Sequence, residues 1–365
     1  KDIKSYDIDP WTSSCPCSDS SLCNPVSVGE RQEFMGYSVN GGPEYYNNYD
    51  YSTLTSIASF YGPVSSDLVC MAHAKNVRIV YAAYYPIVQL GNMTYQQEWI
   101  QSKVELVQST YADGLNFDVE DPIWKNMSEI AALYTSLVAE TTYVFKKLNP
   151  NYQITVDIGW RDCDDGRCYD YVGLSQASDY MIVMDYDMQS QIITNDCVAG
   201  ANSPPSWIIQ GMHNFTGSLG IPVNKLLMGL PWYGYSYQCI GSTASINNTV
   251  CHLKLDPYLG VNCSDAVGSE IDYGKIMNII ANNTIEKSTP QWDSVNYSPF
   301  FNFRADDGTI HQMRYDNPAS LSKKVQIAKD LKLRGVAVWN IDELDYQNNP
   351  TQSSAMWSSL NGFFE

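Results

Sequence analysis

Tyr111-Ala112-Asp113-Gly114-Leu115-Asn116-Phe117-Asp118-Val119-Glu120-Asp121-Pro122 is the stretch on which the reading of this chain turns. At a period of two, Asn116, Asp118 and Glu120 share one face of an extended segment, and Leu115, Phe117 and Val119 share the other. Packing alone does not account for a strand that turns two carboxylates inward and stops at Pro122. Alternate strand residues lie roughly 6.5–7 Å apart. Two carboxylates at that spacing repel, which favours a proton on one of them. A protonated carboxyl is what a glycoside leaving group requires. The bland alternative, solvated acids on an open sheet face, fits poorly if the strand lines a barrel.

The chain on either side supplies such a barrel. Segments at 33–39, 55–60, 77–83, 152–158, 179–186, 225–231 and 335–340 read as apolar strands, and the opening stretch is the fourth of eight. Helical spacing fills the gaps at 67–75, 95–108, 128–148, 169–177, 206–219 and 318–331, with Asn126 or Ser128 available to cap the third of these. Alternating strands and helices predict an α/β fold, a (β/α)8 TIM barrel. A doubly wound open sheet ranks lower, because polar groups gather at the strands' C-terminal ends: Trp160, Tyr186-Asp187, Trp232-Tyr233 and Asn340. The span from about 237 to 313 is too long for a loop and reads as a small α+β insertion between strands seven and eight. Residues 1–30 read as a Cys-containing arm and 31–365 as the barrel.

With 365 residues, 44% of them hydrophobic, the chain can bury a substantial core. A net charge of -18 argues against nucleic-acid backbones and anionic membranes as partners. Ten cysteines with scattered spacing predict disulfides in an oxidising compartment. Short loops suggest Cys163 with Cys168 and Cys239 with Cys251; the remaining pairing stays open. Sequons at Asn92, Asn126, Asn214, Asn247, Asn262, Asn282 and Asn296 agree with the secretory pathway, and so with a lysosomal or extracellular location. Lys1 opens a polar segment, so a signal peptide would already have been removed.

The four histidines are scattered without zinc spacing, so neither a metal nor a cofactor is expected. There is no Gly-x-Ser-x-Gly elbow and no Gly-rich phosphate loop. Most of the 27 tyrosines and 9 tryptophans belong to packing. Those at strand ends are candidates for a site, and for Trp160 and Trp232 packing and function weigh equally. Gln191 and Arg314 are candidate donors to hydroxyls, although Arg314 could equally serve a carboxylate of the fold. Asp121 reads as a loop acid.

Asp113-Gly-Leu-Asn-Phe-Asp118-Val-Glu120 resembles the acidic motif of the chitinase-type family 18 glycoside hydrolases. Met184-Asp-Tyr186-Asp187, Val338-Trp339, Gly229-Leu-Pro-Trp-Tyr-Gly234 and Tyr315-Asp-Asn-Pro318 are similar to further segments of that family. Cys15-Pro-Cys17, Asn116 within the motif, Cys168-Tyr-Asp-Tyr171, Tyr186 to Gln191 and Leu333-Arg-Gly335 fit best the branch that cuts the two-sugar core of free Asn-linked oligosaccharides. The resemblance implies a retaining hydrolase of β-1,4 bonds between N-acetylglucosamine units, in which the substrate's own acetamido carbonyl is the nucleophile. It implies Glu120 as acid and then base, Asp118 orienting the acetamido group, Tyr186 bonding its carbonyl, Asp187 binding the sugar and Trp339 forming a floor. Asp113 enters the candidate set through the motif, although its parity favours a structural hydrogen-bonding role. Where most members carry Asp, Asn116 is expected to donate to Asp118 and keep it anionic to lower pH. A chitinase acting on polymer and a non-catalytic glycan-binding barrel are the alternatives.

Overall fold

The computed structural model describes residues 14–188, 196–258, 260 and 262–364. In chain order its barrel half comprises β1 (Glu33–Ser38), α1 (Pro43–Tyr46), β2 (Ser56–Ser59), α2 (Ser66–His73), β3 (Arg78–Ala83), α3 (Met93–Ser109), β4 (Gly114–Phe117), α4 (Ser128–Leu148), β5 (Gln153–Gly159), α5 (Tyr171–Ala177), β6 (Tyr180–Met184), α6 (Pro205–His213) and β7 (Leu226–Pro231). Next come β8 (Tyr233–Gln238), β9 (Gly268–Asp272), α7 (Tyr273–Ala281), β10 (Gln291–Asp293), β11 (Ser298–Arg304) and β12 (Ile310–Arg314), and then α8 (Pro318–Asp330), β13 (Gly335–Trp339) and α9 (Pro350–Ser358). Eight parallel strands close in the order β1-β13-β7-β6-β5-β4-β3-β2. The chain is a TIM barrel, as the alternation of its elements predicts.

Period two governs β4. Leu115 and Phe117 turn outward into the layer between barrel and helices. Asn116 turns inward and is fully buried. The barrel interior is filled by Met35, Tyr37, Ala58, Val80, Tyr180, Ile182, Leu227 and Ala337, with Phe60 and Trp339 packed on this plug toward the C-terminal end. The long α4 follows the 3.6 period, burying Ala131, Tyr134, Leu137, Val138, Thr141, Val144 and Phe145. Its N-cap is Met127, without a side-chain cap bond, and Ser128 is already the first helical residue. Neither of the two expected caps is used. Asn317 does cap α8, in a reciprocal box with Ser320.

At the N-terminal end of the barrel, Gly114 adopts φ +147, and a Cβ there would stand 1.9 Å from the Gln153 carbonyl oxygen. Asp113, one residue earlier, is buried beneath the arm. It accepts from the Val26 and Ile79 amides at 2.7 Å each and pairs with His73 Nε2 at 2.9 Å. Disulfides Cys15–Cys23 and Cys17–Cys70 close the arm and fasten it to α2.

The insertion is an antiparallel sheet of order β10-β11-β12-β8-β9 with α7 beside it. Its first strand begins at Tyr233, one residue after β7 and Trp232. Cys239–Cys251 lies within it, and Cys197–Cys263 binds it to the loop after β6.

Candidate active site

Asp118 stands one residue beyond β4, its amide continuing the ladder to the Ala83 carbonyl at 3.2 Å. Glu120 follows two residues later and is exposed. Strand ends converge here, so residues remote in sequence share a cleft of about 380 Å3. It is lined by Asp118 and Glu120 from β4, Asp157 from β5, Met184, Tyr186 and Asp187 from β6 and Trp339 from β13. The loop after β5 adds Asp164, Asp165 and Arg167, and the insertion adds Tyr258, Ser264, Ala266 and Glu270. A second depression is lined by Tyr84, Asp118, Glu120, Asp121 and Pro122. Asp118 and Glu120 thus belong to both hollows.

The carboxylates are crowded. Burial, and then the Glu120 charge, push the Asp118 carboxyl up to about 7, against the opposing pull of Arg167. Asp157 is pushed well above the carboxylate range by burial and then by Asp118, although Asn116 and Tyr37 donate to it. The Tyr37 hydroxyl lies 2.5 Å from Asp157 Oδ1 and the Asn116 amide 3.0 Å. Burial raises Asp187 to about 6, while Tyr233 and Tyr235 donate to Oδ1 at 2.5 and 2.7 Å and pull it back. Tyr186 is buried against this group of acids, and burial first and then the Asp157 charge keep its phenol protonated. Trp339 packs edge-on against Phe60 at 5.1 Å and tilted against Tyr37 at 5.3 Å, which fixes the plane of its indole beside the cleft. Glu120 Oε2 lies 2.5 Å from Arg167 Nη1.

Five of the sequence candidates, Asp118, Glu120, Tyr186, Asp187 and Trp339, meet in this cleft. Asn116 lies one pleat below it and does something different from what was expected. In register with Thr155, it donates to Thr155 Oγ1 and Asp157 Oδ1 at 3.0 Å each, across to β5 rather than up to Asp118. The expected hydrogen bond from Asn116 to Asp118 is not formed, because the strand register directs the amide to β5. Three candidates lie elsewhere. Asp113 is at the opposite end of β4. Trp232 turns outward, fully buried, edge-on to Trp357 at 5.0 Å. Arg314 belongs to the insertion sheet, paired with Asp293 at 3.0 Å and stacked over Phe300 at 4.2 Å. Trp160 resolves to packing, 1% exposed and stacked on Trp207. Gln191 lies outside the described residues.

Asp157 and Arg167 are the site residues that sequence reasoning missed. Asp157 carried a signal: it is the one charged residue in its strand, two residues beyond Thr155 and hence on the same inward face. Arg167 carried none, since a cation in a six-residue Cys163–Cys168 loop reads as surface. Among the sequons, Asn92, Asn126, Asn247, Asn262 and Asn282 are exposed, and Asn214 and Asn296 are half-buried. Asn92 also caps α3. The metal-ligand grouping found among the described residues, Cys15, Cys17 and Cys23, has its sulfurs engaged in disulfides.

Residues 80–343 match the model of glycosyl hydrolases family 18. A Dictyostelium discoideum protein named "Probable di-N-acetylchitobiase 1" is 50% identical over 96% of this chain and 94% of its own length. The di-N-acetylchitobiase of Rattus norvegicus is 36% identical over 95% of this chain and 92% of its own. A Cycas revoluta chitinase solved in complex with (GlcNAc)4 superposes with a TM-score of 0.68 at 16% identity, covering 90% of this chain and 99% of that one.

Proposed function

Because the chain belongs to family 18 of the glycosyl hydrolases, we propose that its carboxylate-lined cleft hydrolyses β-1,4 bonds between N-acetylglucosamine units, as the di-N-acetylchitobiases' name describes. It is a glycoside hydrolase. One observation carries the assignment of the cleft: Glu120 stands between two hollows, with Asp118, Tyr186, Asp187 and Trp339 gathered in the larger one. A disaccharide laid across that ridge has one ring on each side and its linking oxygen at Glu120.

In the reaction so placed, the Glu120 carboxyl gives its proton to the linking oxygen as the bond from C1 breaks. The acetamido carbonyl oxygen of the same sugar bonds to C1 and forms a cyclic oxazolinium ion. Asp118 holds the acetamido nitrogen and balances its positive charge, which requires the ionised form. The phenol of Tyr186 donates to the acetamido oxygen. Asp187 bonds sugar hydroxyls and Trp339 presents its face to the ring. Glu120, now a carboxylate, takes a proton from water as the water oxygen bonds to C1 and the oxazolinium opens.

The chitobiose core of Asn-linked oligosaccharides is the substrate we assign, on the strength of near full-length similarity to di-N-acetylchitobiases. Five disulfides suit an oxidising compartment, and a lysosomal or extracellular site of action belongs to the same proposal. None of the described helices is long and apolar enough to cross a membrane. Incubation with free chitobiose-terminated glycans and with chitin oligomers tests the reading. Release of single reducing-end GlcNAc is expected. Chitobiose released from polymer would favour a chitinase, and no hydrolysis of either would leave a glycan-binding barrel.

A further inference from the structure

Arg167 takes no part in the reaction as written, yet it is the one cation among the described residues lining the cleft. Arg167 is 6% exposed, and its guanidinium is held on several sides. Nη2 lies 3.2 Å from both Asp164 Oδ2 and Asp165 Oδ2, and Nε donates to the Asp164 carbonyl at 3.2 Å. The backbone is held as well. The Arg167 amide donates to the Asp164 carbonyl at 2.8 Å, its carbonyl accepts from Tyr171, and Cys168 N bonds to Ile123 O at 2.9 Å. Disulfide Cys163–Cys168 closes the loop around it. A planar fork anchored in this way has one remaining direction, along Nη1, and Glu120 occupies it. The Glu120 side chain is 55% exposed. The pair is therefore unequal: the cation is fixed and the carboxylate is free to move.

We propose that Arg167 is a positioning residue, a fixed cation that receives Glu120 as a carboxylate and releases it when the group takes up a proton. The proposal rests on the acid/base assignment of Glu120 above. In the first step the proton leaves Glu120 for the linking oxygen, so negative charge develops where the guanidinium stands. In the second step the carboxylate must persist until water delivers a proton to it. An adjacent positive charge favours both moments, and the protonated carboxyl, having lost its charge, is free to turn toward the sugar.

The other groups facing Glu120 are Asp118 on its own strand, Asp157 from β5, Tyr169 from the loop that follows, and Tyr186 and Asp187 from β6. Among the described residues these are acids and phenols, and Arg167 is the cation that meets Glu120.

The test compares Arg167→Gln with Arg167→Lys. Loss of the protonated acid sets the alkaline limb of the kcat/KM profile. Removing a neighbouring opposite charge is expected to move that limb up by about 1–3 pH units. Arg167→Lys keeps the charge and should leave the limb within about half of that displacement. A uniform fall in rate with an unmoved limb in Arg167→Gln would overturn the proposal. Arg167→Met serves as a second charge-removing variant if the first does not fold. A readout free of turnover separates this proposal from the functional one: carboxyl 13C NMR titration, with the Glu120 signal assigned through Glu120→Gln. A higher Glu120 midpoint in Arg167→Gln supports the link even if wild type hydrolyses none of the glycans. An unchanged midpoint overturns it even if wild type is active.

Discussion

Asp113 and Asp118 are five residues apart on one strand segment, and their surroundings are opposite. Asp113, at the bottom of the barrel, has two amides and a histidine directed at it, which replace the water it lost. Asp118, at the top, faces Glu120 and Asp157, and burial and like charge push it up to about 7. A carboxylate surrounded by donors is a structural fastening. One left among other acids is held near the point at which it can change protonation state, which is the condition of a working group.

The contrast fails most plainly if Glu120→Gln keeps its activity. Loss of the acid should lower kcat by about 10²–10⁴-fold, measured on chitobiose-terminated glycans, with the melting temperature nearly unchanged. Asp113→Ala should do the reverse. Removing one partner of a buried pair costs about 3–5 kcal/mol, read from urea unfolding, while kcat per folded molecule stays near wild type.

A third expectation concerns pH. Asp118 and Asp164 titrate near 7 when folded and near 3.8 when unfolded, so the native state binds more protons across that window. The stability these two groups contribute is then fully present below about pH 4 and is lost as pH rises to about 7. His73 acts in the same direction. Although burial opposes it, the Asp113 hydrogen bond and charge raise it overall, and its contribution is lost as pH passes its folded value. Melting curves between pH 4.5 and 7.5 should show the decline, and Asp118→Asn should flatten it; an identical slope in that variant would count against the crowding described here. The smallest effect is expected from Asn116→Asp, which replaces a donor to Asp157 with another acid. It should cost about 1–3 kcal/mol, more at pH 7 than at pH 5. Equal losses at both pH values would mean that Asn116 does not govern Asp157.

Where periodicity was strong, the fold was legible. The 128–148 helix is found as Ser128–Leu148, and each apolar run became a barrel strand within one or two residues. The C-terminal α9 escaped notice because Pro350–Ser358 is polar and buries only Ser353, Met356 and Trp357. Asp118 and Glu120 were legible as a pair with one direction, because period two is a local property, although β4 ends at Phe117 and both stand just beyond it. Asn116, Trp232 and Arg314 were not, because which neighbour a side chain reaches is set by strand register and by the insertion sheet, both products of long-range pairing. Of the Cys pairs, Cys163–Cys168 and Cys239–Cys251 could be guessed from short spacing, whereas Cys15–Cys23 stayed open because Cys17 lies just as near in the chain.

The arm beneath the barrel bears on how the molecule is made. Val26 docks on a carboxylate that lies 87 residues further along the chain, and Cys17 pairs with a thiol 53 residues further. Synthesis therefore delivers the arm before either of its anchors exists: Cys70 follows β2, and Asp113 follows β3 and α3. A reductant added after assembly would loosen this seam, some distance from the cleft, and early pairing of Cys17 with Cys15 or Cys23 would trap an arm unable to fasten to Cys70.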